Sequence, residues 1–403
     1  MESLSGDGAV SALSDRLGAV LDRHIGSGRI VGAVVAVARD GETVAEIAAG
    51  WSCREEAKPA TVDTIFRLAS LTKPIVSCAT LALVERGVLS LDGAVHDWLP
   101  DFRPRLPDGT TPVITIAQLL SHSSGLGYGF LEPPDGPYHR LGVSDGLDAL
   151  GVSMDENLRR IAAAPLLFPP GRGWCYSVAT DVLGAIVERA YGGTLAEAVS
   201  ALVTGPLGLA DTGFAPATRD RLSTPYIDRE PSPAVMADND TLAFGPGQLK
   251  YVPSRLFDTT SFLSGGGGMV GTAPDYLKLL EMLRTGGGGI LRPETAAALT
   301  THAVGEADVF IPGPGWGFGL GVGVVRDPVA AGLPLSPGSW GWFGVFGLHF
   351  WVDPARRLSV VSMTNTAVAG MVGPFADDLR DAIVGTPTTA QPANNSADSS
   401  ADR

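Results

Sequence analysis

The chain of 403 residues contains little cysteine, and its three cysteines, Cys53, Cys78 and Cys175, lie far apart in the sequence. A disulfide framework or a structural zinc site needs several cysteines, or a Cys/His cluster at short spacing, so we predict neither. Proteins without disulfides are typical of reducing compartments, which favours a cytoplasmic location.

Basic residues are also scarce, with 29 Lys and Arg against 43 Asp and Glu and a net charge of -14. No Lys/Arg-rich run occurs, which argues against a nucleic acid partner. The longest apolar stretch, residues 30–38, is too short to cross a bilayer. Residues 1–20 lack the basic start and apolar run of a signal peptide. We therefore expect no membrane partner.

Apolar residues make up 45% of the chain, enough for a sizeable core. The length predicts one large domain or two intertwined ones. An amphipathic helical pattern covers residues 9–26, and a second covers 373–384. Strand pairs are predicted near both ends, at 30–38 with 42–50 and at 348–352 with 358–364. Helical segments fill the middle, at 71–86, 116–120, 154–163, 182–191, 195–203 and 274–284.

This arrangement predicts an α/β fold in which both chain ends form one antiparallel sheet flanked by helices, with a mostly helical domain inserted. The α/β domain is predicted to comprise residues 1–79, 135–171 and 290–385. The helical domain is predicted to comprise residues 80–134 and 172–289. Residues 386–403 are small and polar, so they are predicted to form a disordered tail.

Two glycine runs, Gly265–Gly268 and Gly286–Gly289, are interpreted as flexible turns, because neither has the sequence context of a phosphate-binding loop.

One of only four lysines stands three residues after a serine, in the motif Ser70-x-x-Lys73. An apolar helix is predicted to start at Ser70, which places both side chains on one face. The helix N-terminus disfavours an ammonium and lowers the lysine pKa, so a neutral Lys73 could take the serine proton. The backbone N–H of Ser70 could stabilise an oxyanion. A capping serine beside a solvent-exposed lysine is an equally good interpretation of the motif alone.

A second serine, Ser144, lies in Gly142-x-Ser-x-Gly146, the pattern of an esterase nucleophile elbow. That elbow requires a buried strand before the serine, and the residues preceding Ser144 are rich in Pro and Gly. We therefore interpret Ser144 as part of a surface turn.

Tyr176 lies just before the helix predicted at 182–191. A helix N-terminus favours a phenolate, so Tyr176 is a candidate acid or base, although most single tyrosines are packed aromatics.

Three motifs now stand in order along the chain, Ser70-x-x-Lys73, Tyr176-Ser177 and Trp342-Phe343-Gly344-Val345. The order resembles the serine hydrolases of the class C β-lactamase and penicillin-binding-protein type, and within them the family VIII carboxylesterases. The likeness covers about residues 10 to 385. It includes the segment from Leu119 to Leu126 and Thr364-Asn365-Thr366.

The resemblance implies Ser70 as nucleophile, with Lys73 and Tyr176 as its acid–base pair. It implies an oxyanion hole formed by the backbone N–H groups of Ser70 and Val345. The substrate-binding candidates it implies are Leu126, Tyr128, Trp342, Phe343 and Gly344. No metal or organic cofactor is implied.

Two departures from the lactamase pattern bear on substrate choice. Val178 stands where a lactamase has an asparagine, and Trp342 stands where it has the lysine of its Lys-Thr-Gly motif. Phe343 replaces a glycine common in the esterases and bears on the width of the acyl site. His122 and His349 are expected to be structural.

These expectations favour hydrolysis of small, short-chain carboxylic esters through an acyl-enzyme on Ser70. A β-lactamase, a D-aminopeptidase or an acyltransferase of the same superfamily remains an alternative, and so does a non-catalytic binding protein. The oligomeric state is left open.

Overall fold

The computed structural model describes the backbone of residues 7–385 and the side chains of residues 10–385, so the predicted tail at 386–403 lies outside the described residues. Its centre is an eight-stranded sheet in which every neighbouring pair is antiparallel. In spatial order the strands are β10 (Trp316–Phe318), β11 (Gly323–Val325), β12 (Trp340–Gly344), β13 (Leu348–Asp353), β14 (Leu358–Thr364), β1 (Gly32–Arg39), β2 (Glu42–Cys53) and β3 (Lys58–Pro59).

The predicted joining of the two chain ends is confirmed, because β1 pairs with β14 from Ala33 opposite Thr364 to Arg39 opposite Leu358. Both predicted strand pairs are also present. The sequence patterns missed three two-stranded sheets outside the main sheet. These are β4 (Phe66–Arg67) with β9 (Val270–Gly271), β5 (Tyr226–Ile227) with β6 (Ala234–Val235), and β7 (Asp240–Phe244) with β8 (Gly247–Tyr251).

The helices predicted at 9–26, 71–86, 116–120, 154–163, 182–191, 274–284 and 373–384 are confirmed within a few residues at each end. The observed helices are α1 (Asp7–Gly26), α2 (Thr72–Glu85), α3 (Val95–Trp98), α4 (Ile116–Leu120), α5 (Pro137–Leu141), α6 (Met154–Ala163), α7 (Ala179–Tyr191), α8 (Leu195–Val199), α9 (Ala273–Arg284), α10 (Pro293–Thr300) and α11 (Pro374–Val384). The segment predicted at 195–203 divides into α8 and a π-helical turn, Ser200–Thr204. No helix among the described residues is both long and apolar enough to cross a membrane.

Both faces of the central strands are covered, which explains the unbroken apolar run of β1. Alternate residues of β1, such as Val35 and Val37, pack against α1 and α11 in one core. The residues between them, such as Val34 and Ala36, face the larger core, which contains α2 and α9. A strand buried on both faces has no polar alternation. The two-domain boundaries proposed from the sequence stay a prediction.

The buried amide of Asn365 ties the ends of three strands together directly after β14. Its Oδ1 accepts the backbone N–H of Gly32 at 3.0 Å, and its Nδ2 donates to the carbonyl oxygens of Trp51 at 3.0 Å and Ser52 at 3.3 Å. One side chain therefore satisfies backbone groups on β1 and β2 at the place where the sheet joins the two ends of the chain.

We predict that Asn365→Ala lowers the free energy of unfolding by about 2–4 kcal/mol, because it leaves buried backbone groups without partners. Denaturant-induced unfolding measures the change. Gln248→Ala, which removes an exposed amide on β8, serves as the control and should change the same quantity by less than about 0.5 kcal/mol. Equal effects of the two substitutions would contradict this role of Asn365.

Candidate active site

Ser70 lies in a short 3₁₀ turn, Ala69–Leu71, that connects β4 to α2. The turn is tight, since Ala69 has a φ of 44°, a left-handed conformation that residues other than glycine seldom adopt. The α-helix itself begins at Thr72, slightly later than predicted, with Pro74 in its first turn. Ser70 is 9% exposed and is therefore almost buried.

Lys73 is 2% exposed, and its Nζ donates hydrogen bonds to Ser70 Oγ at 3.2 Å and to the carbonyl oxygen of Gly266 at 2.6 Å. The ammonium lies over the rings of Tyr176 and Tyr128, 4.6 and 5.3 Å from their centroids. Burial lowers the pKa of Lys73 to about 7, although the charges of Asp181 and Asp145 act in the opposite direction. The predicted direction is right, and burial is its largest cause.

Tyr176 is buried beside Ser70 and Trp342. Its hydroxyl accepts the indole N–H of Trp342 at 3.0 Å and is hydrogen-bonded to Ser70. Burial raises the pKa of Tyr176, and this effect outweighs the two hydrogen bonds, which lower the pKa. The expectation of a phenolate favoured by the helix N-terminus is therefore wrong. At neutral pH Tyr176 is a neutral phenol, because the side chain is removed from water.

Asp181 is a site residue that the sequence analysis missed. It lies in the first turn of α7, fully buried, and its Oδ1 accepts hydrogen bonds from Ser264 Oγ at 2.6 Å and from the backbone N–H of Gly266 at 3.0 Å. The carbonyl of the same Gly266 accepts a hydrogen bond from Lys73 Nζ. No sequence signal distinguishes Asp181 from the acidic residues that commonly begin helices.

The turn Gly265–Gly268 is thus fixed between Asp181 and Lys73. It is a turn, as expected, but it is largely buried rather than a flexible surface loop. A side chain at Gly266 would not fit, because a Cβ there would lie 2.7 Å from Asp181 Oδ2 and 3.0 Å from the Tyr128 hydroxyl. Glycine is required here because Asp181 and Tyr128 leave no room for a side chain.

Aromatic side chains surround Ser70, Lys73 and Tyr176. Trp342 stacks on Phe343 with ring centroids 4.8 Å apart, and Tyr128 lies 5.3 Å from Tyr176. Phe343 is half-buried, whereas Leu126 is buried in the core. The structure therefore brings Trp342, Phe343 and Tyr128 to the site. The substrate-binding roles expected of these residues and of Leu126 stay predictions.

The end of β12 packs closely on the turn that carries Ser70. A Cβ at Gly344 would lie 2.6 Å from the carbonyl oxygen of Leu68, so only glycine permits this approach. Val345 follows directly, and its carbonyl accepts the hydroxyl of Tyr251 at 3.0 Å. The contact holds the loop after β12 beside the Ser70 turn, as an oxyanion hole of the Ser70 and Val345 N–H groups would require. That role is still a prediction.

The prediction that Ser144 lies in a surface turn is wrong. Ser144 is 1% exposed. Its Oγ donates a hydrogen bond to Asp148 Oδ1 at 2.7 Å and accepts one from the N–H of Gly146 at 3.1 Å. The hydroxyl closes a loop that follows the short helix α5, and no strand precedes it. The environment that a nucleophile elbow needs is missing, so the match to the elbow pattern is accidental, as expected.

The two histidines near the motifs have structural contacts. Nδ1 of His122 pairs with Ser177 Oγ at 3.0 Å, and its ring packs 4.8 Å from that of Tyr176. Burial, and then the nearby Lys73, lower the pKa of His122. His349 pairs with the carbonyl of Gly370 at 3.0 Å, and burial lowers its pKa to about 4. Both imidazoles are neutral at pH 7.

The beta-lactamase family profile matches residues 15–384. Esterase EstB of Burkholderia gladioli is 49% identical over 376 residues, which are 93% of this chain and 95% of that protein. The structure of EstCE1, described as a hydrolase with promiscuous acyltransferase activity, superposes with a TM-score of 0.91 at 42% identity, covering 94% of this chain and all of that one.

Unliganded, selenomethionyl simvastatin synthase LovD from Aspergillus terreus shares the fold, with a TM-score of 0.71 at 22% identity over 94% of this chain and 99% of that one. The antiparallel sheet and the flanking helices are those of the beta-lactamase and penicillin-binding-protein-like fold. The chain belongs to the beta-lactamase family.

We predict that Asp181→Asn shifts the acidic limb of the pH profile of kcat/KM to lower pH. A protonated Lys73 cannot act as a base, so activity is lost as the pH falls through the pKa of Lys73. The carboxylate of Asp181 raises this pKa, and the asparagine amide removes its charge while still able to accept from Gly266. For that reason the plateau kcat should fall less than about tenfold.

Glu188→Gln provides the matched control, because Glu188 lies on the same helix and is not among the charges that act on Lys73. Its profile should coincide with that of the unsubstituted protein. A shift of the Asp181→Asn profile to higher pH, or none, would show that another group sets the acidic limb.

Proposed function

We propose that the protein is a serine esterase that hydrolyses short-chain carboxylic esters through an acyl-enzyme on Ser70. One observation carries the proposal. The Lys73 amine lies 3.2 Å from Ser70 Oγ in a buried position that lowers its pKa to about 7. A lysine in this state has a substantial neutral fraction at neutral pH, which the proton transfer from serine requires.

Acylation begins when neutral Lys73 takes the Ser70 proton as Oγ attacks the ester carbonyl. The C–O double bond opens to a tetrahedral oxyanion, and we assign the N–H groups of Ser70 and Val345 as the donors that stabilise it. Collapse of the intermediate breaks the bond to the leaving alcohol. Tyr176, still a phenol, donates its proton to that alcohol oxygen and recovers a proton from the Lys73 ammonium.

Deacylation reverses these roles. A water molecule gives its proton to the Lys73–Tyr176 pair and attacks the acyl carbonyl. The second tetrahedral intermediate releases the carboxylic acid, and Ser70 recovers its proton. Every step uses groups of the chain, the ester and water. The indole N–H of Trp342, 3.0 Å from the Tyr176 hydroxyl, holds that phenol in position.

The walls of the site favour an ester over a β-lactam. Val178 is buried and presents no amide to hold a substrate amide. Trp342 carries no charge for a lactam carboxylate, and its one donor is used by Tyr176. A contact of that kind contributes about 1.5–3 kcal/mol, so losing two of them leaves at most weak lactamase or amidase activity.

The comparisons support the same choice, since EstB is named an esterase and EstCE1 a hydrolase. The acyltransferase activity in the description of EstCE1 makes acyl transfer a second candidate here. In that reaction an alcohol replaces water as the group that attacks the acyl-enzyme. The substrate in both cases is a small-molecule ester. We also propose a cytoplasmic location, on the basis of the few cysteines in the sequence.

We predict that Ser70→Ala lowers kcat by about 10⁴–10⁶-fold, because it removes the nucleophile from a cooperating set. Ser144→Ala should retain nearly full kcat and lose about 1–2 kcal/mol of stability, because it removes two buried hydrogen bonds. Ester hydrolysis and denaturant unfolding measure the two effects. Peptide mass mapping after fluorophosphonate treatment should place the label on Ser70, and a label on Ser144 would refute the assignment.

We predict that kcat/KM for p-nitrophenyl esters is highest for acyl chains from acetyl to butyryl. The reason is that the bulky ring of Phe343, stacked on Trp342, leaves less room for a long acyl chain than a glycine would. The same enzyme should hydrolyse nitrocefin at least about tenfold more slowly than its best ester, since both polar contacts for a lactam are missing. A chain-length series run beside nitrocefin makes the comparison. A maximum at long chains, or equal rates with nitrocefin, is the result that this account does not allow.

A further inference from the structure

A cavity of about 60 Å³ lies behind the glycine turn that holds Lys73. Gly267, Gly268 and Ser264 form part of its wall, and the residues that line it do not include Ser70, Lys73 or Tyr176. The volume corresponds to roughly four water molecules. The cavity is therefore a separate space that shares one wall with the candidate active site.

Two arginines line this cavity, Arg67 from β4 and Arg255 from the 3₁₀ turn Pro253–Phe257. Arg255 is 9% exposed, and Arg67 is half-buried. Neither forms an ion pair with any described residue, and the Nε of each is buried without a hydrogen-bond partner among them. Buried guanidinium groups normally have a carboxylate partner, because burying an unpaired charge is costly.

The hydrogen bonds that these side chains do make leave donors unused. Each guanidinium has five N–H donors. Arg67 donates to the carbonyls of Ser223 at 3.1 Å and Pro253 at 3.5 Å. Arg255 donates to the carbonyl of Phe262 at 2.9 Å and lies over its ring. Burial lowers the pKa of Arg67 to about 10, so this group is still charged at neutral pH.

The acidic groups near the cavity are already engaged. Asp258, which lines the cavity, accepts hydrogen bonds from Gly151, Thr260 and Ser261. Asp238 acts on Arg67 through its charge, and Asp181, Asp148 and Asp258 act on Arg255 in the same way, without an ion pair in contact. Asp238 accepts from Ser254. The lining thus offers unused cationic donors and one carboxylate whose oxygens are already bonded.

We propose that this cavity binds a small carboxylate between Arg67 and Arg255. The planar fork of a guanidinium matches the two oxygens of a carboxylate. The remaining wall is mostly apolar, with Phe214, Val252 and Phe346 among its members, and suits a short alkyl group. Acetate, with four non-hydrogen atoms, fits roughly the space of four waters.

An occupant would stabilise the wall that it shares with the active site. Ser264 donates a hydrogen bond to Asp181. In the turn that begins at Gly265, the carbonyl of Gly266 accepts a hydrogen bond from Lys73. A carboxylate bound there would therefore stabilise the folded protein from a position separate from Ser70, and its binding does not depend on the chemistry proposed at Ser70.

Thermal unfolding with sodium acetate at constant ionic strength, with sodium chloride as the reference salt, tests the proposal. The protein is first phosphonylated by a fluorophosphonate, so that acetate bound at the catalytic serine does not contribute. We expect a saturable rise in Tm of about 1–2 °C with acetate over chloride. Arg255→Gln should abolish the rise. Arg159→Gln, which removes an exposed arginine on α6, should retain it.

Arg67→Lys keeps the charge and removes the planar fork, so it provides a second variant if Arg255→Gln does not fold. It should weaken the apparent acetate affinity at least about threefold. The proposal is overturned if acetate and chloride give the same Tm, if the rise does not saturate, or if the rise persists unchanged in both cavity variants.

Discussion

The burial of Lys73 is the constraint on which the rest of the site depends. An ammonium removed from water without a carboxylate in contact is destabilised relative to the neutral amine. Burial therefore lowers the pKa of Lys73 to about 7. Three features keep the side chain in place. The first turn of α2 positions it one turn after Ser70, the carbonyl of Gly266 accepts a hydrogen bond from its Nζ, and the rings of Tyr176 and Tyr128 lie beside the amine.

The buried carboxylates set how far that shift goes. Asp181 and Asp145 both raise the pKa of Lys73, but neither forms an ion pair with it. A carboxylate in direct contact would keep the lysine charged and remove the base. Asp181 instead acts through Gly266. Its Oδ1 accepts the N–H of Gly266, and the carbonyl of the same residue accepts a hydrogen bond from the Lys73 amine. The same burial raises the pKa of Tyr176, so one environment lowers the pKa of the amine and raises the pKa of the phenol.

Local patterns in the sequence predict four strands of the main sheet, β1, β2, β13 and β14, but not its short edge strands. The motifs single out Ser70, Lys73 and Tyr176 as candidates, and the structure brings these side chains together. Their catalytic roles stay predictions. Asp181 could not be found in this way, because its role arises from a turn more than 80 residues away in the sequence. The same holds for Ser144, whose Pro- and Gly-rich surroundings indicate a surface turn, while the fold buries its hydroxyl against Asp148.

Direct titration of Lys73 tests the central claim, that burial makes this lysine a neutral base. The chain has only four lysines, so selective isotope labelling of lysine gives few NMR signals, and the Lys73→Met variant identifies the one from Lys73. The account predicts that this signal titrates with a pKa near 7. A Lys73 signal that keeps the chemical shift of an ammonium up to pH 9 would contradict it, because the serine would then have no neutral amine to receive its proton.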